Sequence, residues 1–287
     1  MTISLRFWGV RGSVPAPGPE TSSYGGNTSC VEISCDDEVV ILDGGTGLRR
    51  LGDDLRRRDA DRVEASILFS HVHWDHIQGV PFFSPLFRSS TSLRMYGAPE
   101  GGSIEEMLER QMTSPNFPVA LDNVPASLGF EAVSIGEQFE IGSFSINSSR
   151  LHHPSGCIAY RVEAHGCSIV YATDTEPLGD GVLDEDLIRL AKGADVLIHD
   201  AQYTEAEYRG DDGISRHGWG HSTWQDAVRV ARAAEVSKLI LFHHDPARDD
   251  DAVADLERAA YEELPGTIAA REDLEIQLQS CLHRRAA

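Results

Sequence analysis

The run Ser70-His71-Val72-His73-Trp74-Asp75-His76 follows directly on the short apolar segment Ile67–Phe69. Such a segment reads as a strand. Its extended backbone carries His71 and His73, two residues apart, to one side. Asp75 and His76 then come from the turn. Three imidazoles and a carboxylate within six residues are borderline-soft donors suited to zinc, manganese or iron. An incidental polar loop has no reason to gather them at a strand end, so the fold must deliver this strand terminus to a metal.

Short apolar runs recur along the chain, each ending in a polar or glycine-rich loop. Leu5–Trp8, Val31–Ser34, Val39–Leu42, Leu93–Tyr96, Phe144–Asn147, Ile158–Val162, Ser168–Tyr171, Val196–Ile198 and Leu239–Phe242 read as further strands. Gly47–Arg58, Ile104–Met112, Leu183–Ala191, Thr223–Ala234 and Ala252–Glu263 have helical composition. No linker or repeat interrupts them, which predicts one α/β domain over residues 1–287 with helices outside packed sheets. Thr113–Leu128 holds Pro115, Pro118 and Pro125 with little periodicity. It reads either as an ordered loop over a site or as a surface excursion.

The H-x-H-x-D-H run after a strand resembles the signature of the metallo-β-lactamase superfamily. The resemblance implies an αββα sandwich: two mixed sheets packed face to face, helices outside, and a metal site at one edge. It also implies a later His, an Asp and a final His, each at a strand end. Leu151-His152-His153-Pro154 supplies the first, with His153 the better match and His152 the alternative. Asp174, after Tyr171-Ala172-Thr173, matches the acidic ligand that bridges two metals. His243 matches the last ligand, with His244 the alternative. By resemblance, His71, His73 and His153 hold one divalent ion; Asp75, His76 and His243 hold a second; Asp174 bridges. Zinc is the first expectation, with manganese or iron also suited. Such a pair would share a hydroxide as nucleophile.

Further segments narrow the branch. Val196-Leu197-Ile198-His199-Asp200 and Gly220-His221-Ser222-Thr223 are similar to ribonuclease Z and its phosphodiesterase relatives. By that match Asp200 orients His221, and His221 faces the scissile phosphate. Ser222 and Gln225 read as a capping box opening the next helix, where backbone donors favour an anion. The resemblance implies Asp75, Asp200 and His221 as the catalytic set. The opening turns, Gly9-Val10-Arg11-Gly12-Ser13 and Gly25-Gly26-Asn27-Thr28, resemble turns of bacterial phosphodiesterases of this fold. Arg11, Asn27 and Thr28 are expected to bind substrate, Arg11 through a guanidinium fork suited to phosphate. Asp43-Gly44-Gly45-Thr46-Gly47 matches the family's D-x-G-x-G turn, with Asp43 buttressing the metal loop rather than ligating.

Charge weighs on the substrate. With 25 Lys and Arg against 46 Asp and Glu, the net charge is −21. A general nucleic-acid binder needs clustered cations, and Thr113–Leu128 has neither Lys nor Arg to form a basic arm. A small phosphodiester, a cyclic nucleotide or cyclic ribose phosphate, is the expected substrate. A ribonuclease Z-like tRNA 3′-end endonuclease is the alternative. A redox role leaves the Asp200/His221 pair without a purpose. Trp219 stands beside the site as a residue that could stack on a base. The N-terminal residues lack a basic stretch leading into an apolar one, and no apolar run approaches the ~20 residues of a membrane span. Five cysteines (Cys30, Cys35, Cys157, Cys167 and Cys281) form no C-x-x-C pair and read as buried thiols of a reducing cytoplasm. The resemblance adds the expectation of a homodimer.

Overall fold

A computed structural model of the chain describes residues 2–98, 102–179 and 182–279. Cys281 lies outside them. The first sheet holds β1 (Thr2–Gly9), β2 (Cys30–Cys35), β3 (Glu38–Leu42), β4 (Val63–Leu68), β5 (Thr91–Gly97), β6 (Ser127–Ala132) and, at its far edge beside β1, β14 (Glu275–Gln279). The second holds β7 (Phe139–Ile141), β8 (Phe144–Leu151), β9 (Cys157–Ala164), β10 (Cys167–Ala172), β11 (Val196–Asp200), β12 (Leu239–Phe242) and β13 (Ile268–Ala269). Each sheet is half antiparallel and half parallel. The β3-β4-β5-β6 and β10-β11-β12-β13 ladders are the parallel halves. Parallel neighbours end at the same edge, so residues following β3, β4, β10, β11 and β12 can converge there.

Period-two alternation sorts the side chains. Leu5 and Phe7 on β1, Ile33 on β2, Ile146 on β8, Ile169 and Tyr171 on β10 and Phe242 on β12 fill the space between the sheets. Val170 and Ala172 face the other way, onto α4 (Glu185–Ala191), α6 (Trp224–Ala233) and α7 (Asp250–Glu263). On the outer side of the first sheet, α1 (Gly47–Arg58) buries Leu48, Leu51 and Leu55 at helical spacing. α3 (Ile104–Gln111) covers the same side with Ile104 and Leu108. Two short helices, α2 (Trp74–Ile77) and α5 (Glu205–Arg209), lie in connections. The layering is the αββα sandwich expected from the sequence.

Local differences have physical reasons. β8 runs on past Asn147 through Ser148, Ser149 and Arg150, whose polarity hides a strand that pairs fully with β9. β6, β7, β13 and β14 were not expected; they are the edge strands of the two sheets, short or with side chains exposed or half-buried, so their hydrophobic signal is weak. Thr113–Leu128 packs on the outer layer instead of crossing the site. Leu121 is buried there, Phe117 meets Phe82 edge-on at 5.7 Å, and β6 begins at Ser127. No helix among the described residues is long and apolar enough to cross a membrane.

Phe7 is fully buried between the sheets, 6.1 Å from the Phe242 ring. Phe7→Ala should cost about 3–5 kcal/mol in a denaturant titration. A loss below about 1 kcal/mol would mean this layer is not close-packed.

Candidate metal centre

All the expected donors except one aromatic neighbour of each pair meet at the shared edge of the two sheets. His71, His73, Asp75 and His76 follow β4; His153 follows β8; Asp174 follows β10; His243 follows β12. Three donor groups form, His71/His73/His153/Asp174, Asp75/His76/His243 and Asp174/Asp200/His221/His243, with ligand atoms of each group within 4.8 Å of one another. Asp174 faces the first two and belongs to the third. Its Oδ1 lies 3.2 Å from His76 Nε2 and 3.2 Å from His243 Nε2. Its Oδ2 lies 3.6 Å from His71 Nε2 and 3.8 Å from His153 Nε2. His153 Nε2 is 3.0 Å from His73 Nδ1, and Asp75 Oδ2 is 3.2 Å from His243 Nε2.

The alternatives left by the two His-His pairs are resolved by direction. His152 turns to the Glu176 carbonyl and His244 to the Ala270 carbonyl, so neither joins the cluster.

The four inward-facing Nε2 atoms each have a rear Nδ1 engaged elsewhere. His76 Nδ1 meets Asp43 Oδ2 at 2.8 Å, and His153 Nδ1 meets the Gly220 carbonyl at 2.8 Å. His243 Nδ1 meets Gln202 Oε1 at 3.0 Å, and His71 Nδ1 meets Ser70 Oγ at 3.1 Å. Fixing the rear nitrogen fixes the tautomer and aims the lone pair of the front nitrogen. Asp43 organises more than one of these: it also accepts from Ser70 N and Oγ and from the Tyr171 hydroxyl.

This arrangement fits divalent metals. His71 Nε2 is fully buried with no hydrogen-bond partner, a costly state unless something binds it. Donors about 2.0–2.1 Å from a tetrahedral ion stand roughly 3.4 Å apart, which the spacings around Asp174 approach. Burial holds His71, His73 and His153 neutral, as ligation requires. Burial alone would raise the Asp75 and Asp174 carboxyls. Neighbouring His76 and His243 reverse this and hold both well below the usual carboxylate range. His76 is pulled the other way: its burial is outweighed by Asp174, Asp75 and Asp43, and its pKa rises well above normal, so an ion binding there would displace a proton from its ring.

The backbone is bent to serve the site. Ser13, Asp43, Asp174 and His243 all have left-handed φ values of 62°, 62°, 49° and 61°. Each costs roughly 1 kcal/mol or more for a residue with a side chain, and such strain gathers at functional sites. Two close approaches require glycine. A Cβ on Gly220 would stand 2.2 Å from His153 Nδ1, and one on Gly12 would stand 2.4 Å from the His243 ring.

His221 lies beside this centre, with ring centroids 4.9 Å from His243 and 5.4 Å from His153. Its Nδ1 is 2.8 Å from Asp200 Oδ2, the pairing expected from the sequence. Asp200 is fixed in turn by the backbone N–H groups of Gln202 and Thr175. Burial disfavours a charged His221, but Asp200, Asp174 and Asp75 outweigh it and lift the pKa to about 9. Divalent cations on the neighbouring donors act in the opposite direction. The helix behind His221 is capped one residue later than expected. Thr223 and Asp226 form the capping box of α6, while Ser222 Oγ donates to the Thr175 carbonyl.

The expected substrate residues need correction. Arg11 is fully buried and donates to the carbonyls of Gly25, Asp245 and Arg248, tying three loops together. Thr28 is also fully buried and exchanges bonds with Thr46. Asn27 Nδ2 donates to Glu272. None presents its side chain to the donor cluster; resemblance of the turns in sequence reflects how they are built, not what they hold. The opening turn reaches the centre through the next residues instead: Ser13 N donates to Asp75 Oδ2 at 2.7 Å.

With the geometry in view, a model for the beta-lactamase superfamily domain matches residues 39–244. The chain belongs to this superfamily. A ribonuclease Z of Streptococcus mutans is 28% identical over 255 residues, covering 72% of this chain and 79% of the relative. Among solved structures, the metallo-beta-lactamase fold protein YhfI of Bacillus subtilis superposes with a TM-score of 0.70 at 20% identity, covering 96% of this chain and 99% of that one. Zn(2+)-bound PqqB of Methylobacterium extorquens superposes with a TM-score of 0.72 at 15% identity, covering 96% of this chain and 100% of that one. At these identities the two structures speak for the fold. The superfamily and its relatives make this chain a metal-dependent hydrolase.

Sequence reading missed Glu176. Its carboxylate accepts from Gly218 N at 2.6 Å, Gly220 N at 2.8 Å and the Tyr208 hydroxyl at 2.6 Å. It therefore pins the loop that carries both His221 and the carbonyl holding His153. The available signal was an acid two residues beyond Asp174 and just before Pro177. Hydrogen bonds to a carboxylate are worth about 1.5–3 kcal/mol each. Glu176→Ala should thus open the loop more often and speed tryptic cleavage after Arg216 at least about tenfold relative to Arg161 in β9. Equal rates in the variant and the parent chain would show that Glu176 does not anchor it.

Proposed function

We propose that the chain is a dinuclear phosphodiesterase acting on small phosphodiesters, cyclic nucleotides or cyclic ribose phosphates. The observation that carries it is the Asp200–His221 pair beside the donor cluster. Metal hydrolysis of many bond types needs only the donors; a buried imidazole oriented by a carboxylate adds a proton donor for an alkoxide leaving group. His71, His73, His153 and Asp174 would hold one ion, and Asp75, His76, His243 and Asp174 the other. Zinc bound there would supply a hydroxide near neutral pH, because it lowers the pKa of bound water to about 7. Zinc suits the nitrogen and oxygen donors, and it is the ion in the PqqB neighbour.

The chain's own residues set the rest. Asp174 spaces the two donor groups. Asp43 and Gln202 keep His76 and His243 in the ligating tautomer. His221, held by Asp200 through Nδ1, gives its proton to the leaving oxygen, and Asp200 stabilises the cationic ring beforehand.

A small substrate is favoured by the net charge of −21 and by the lack of Lys or Arg in Thr113–Leu128. The second reading, a tRNA 3′-end endonuclease, is favoured by the name ribonuclease Z carried by the Streptococcus mutans relative. The deciding experiment compares kcat/KM for 3′,5′-cyclic nucleotides with that for a 3′-extended tRNA under one metal condition. Faster cleavage of the cyclic nucleotides is expected; a tenfold or greater preference for tRNA overturns the small-substrate reading.

His221→Ala should lower kcat by roughly 10²–10⁴-fold with metal content unchanged, the range of a general acid. Loss of metal would make His221 a ligand, and an unchanged rate would remove it from the reaction.

A further inference from the structure

The wall next to His221 is aromatic, and its outermost member is unusually exposed. Tyr203 is buried, with its ring edge-on to His221 at 6.0 Å and to Trp219 at 6.5 Å. Trp219 is 52% exposed on the loop that Glu176 pins. A tryptophan serving only the core would be covered, because its large apolar area is what stabilises the core. Here a cleft of about 360 Å³ opens between Trp219, His221 and the opening turn. That lies in the size range of small-molecule sites, about 300–1,000 Å³.

The polar lining selects the ligand's charge. Arg216 lies over the Tyr203 ring at 5.5 Å, but both its terminal nitrogens bind Asp212, at 2.8 and 2.6 Å, so its charge is compensated. Asp245, Ser13 and Gln202 also line the cleft, adding an acid, a hydroxyl residue and an amide residue to the lining. A chain of further phosphates would meet Asp245, while the arginine of this lining, Arg216, is already paired with Asp212. Sugar hydroxyls suit the same groups, donating to Asp245 and accepting from Ser13.

We propose that this cleft is the leaving-group subsite and takes a neutral nucleoside, its base stacked on Trp219 and its sugar against Ser13 and Asp245. The position follows from His221, which borders the cleft and protonates the departing oxygen; this rests on the phosphodiesterase reading. The base adds apolar contact that every nucleobase can make, so the subsite discriminates nucleoside from sugar more sharply than one base from another.

The test is calorimetric titration of the metal-loaded full chain with adenosine, ribose and inorganic phosphate. Adenosine should bind more tightly than ribose. Trp219→Ala should weaken adenosine roughly 10–100-fold, as loss of base–aromatic stacking does, while Trp219→Phe restores binding to within about threefold. Phosphate affinity should be the same in all three proteins. Adenosine binding that is unaffected by Trp219→Ala overturns the proposal, as does binding of phosphate but not adenosine. Hydrolysis of bis(p-nitrophenyl) phosphate, measured alongside, separates the two readings. Hydrolysis without adenosine binding removes the subsite and leaves the phosphodiesterase. Trp219-dependent adenosine binding without hydrolysis of any diester keeps the subsite and removes the reaction.

Discussion

One carboxylate, Asp174, organises the centre. Its two oxygens face different sets of imidazoles, at 3.2 Å on one side and 3.6 and 3.8 Å on the other. Burying so many ionisable groups is unfavourable unless their polar atoms are satisfied. The rear nitrogens are satisfied by Asp43, Ser70, Gln202 and the Gly220 carbonyl. The front nitrogens are not fully satisfied by protein, and His71 Nε2 has no hydrogen-bond partner. The architecture behind the site can thus be understood as support for cations at its front.

The sandwich makes that support possible. The parallel ladders of both sheets end at one edge, so Asp43, the His71–His76 turn, Asp174, Asp200 and His243 emerge side by side from five strands. Three of these, Asp43, Asp174 and His243, leave their strands in the left-handed region, which turns the side chain back toward the centre instead of onward along the strand. The tightly packed layer between the sheets, with Phe242 against Phe7 and Tyr171, holds these strained turns in place.

The donor cluster was legible because its signal is doubly local: a residue type suited to metals, placed where an apolar strand stops. Asp200 likewise closes an apolar strand, whereas His221 was legible through the Gly220-His221-Ser222-Thr223 run just before a helix. Arg11 misled because sequence shows a guanidinium but not which acceptors surround it. In the fold, three carbonyls from distant loops lie within reach, and the fork closes on them instead of on a ligand. The choice between His152 and His153, or His243 and His244, depends on side-chain direction at a strand terminus, which adjacent identical residues do not reveal. The cap of α6 slipped by one residue because Ser222 and Thr223 are both competent, and a long-range bond to Thr175 takes Ser222 away. Glu176 was illegible because its partners are backbone amides of Gly218 and Gly220, some forty residues later in the chain.

The central claim is that a single bridging carboxylate joins two metal sites. Counting bound metal in the purified chain by native mass spectrometry, beside Asp174→Ala and His76→Ala, tests it most directly. Two divalent ions are expected in the parent chain, at most one in His76→Ala, and loss of the paired state in Asp174→Ala with circular dichroism preserved. One tightly bound ion in the fully active parent chain, or two retained by Asp174→Ala, would contradict it.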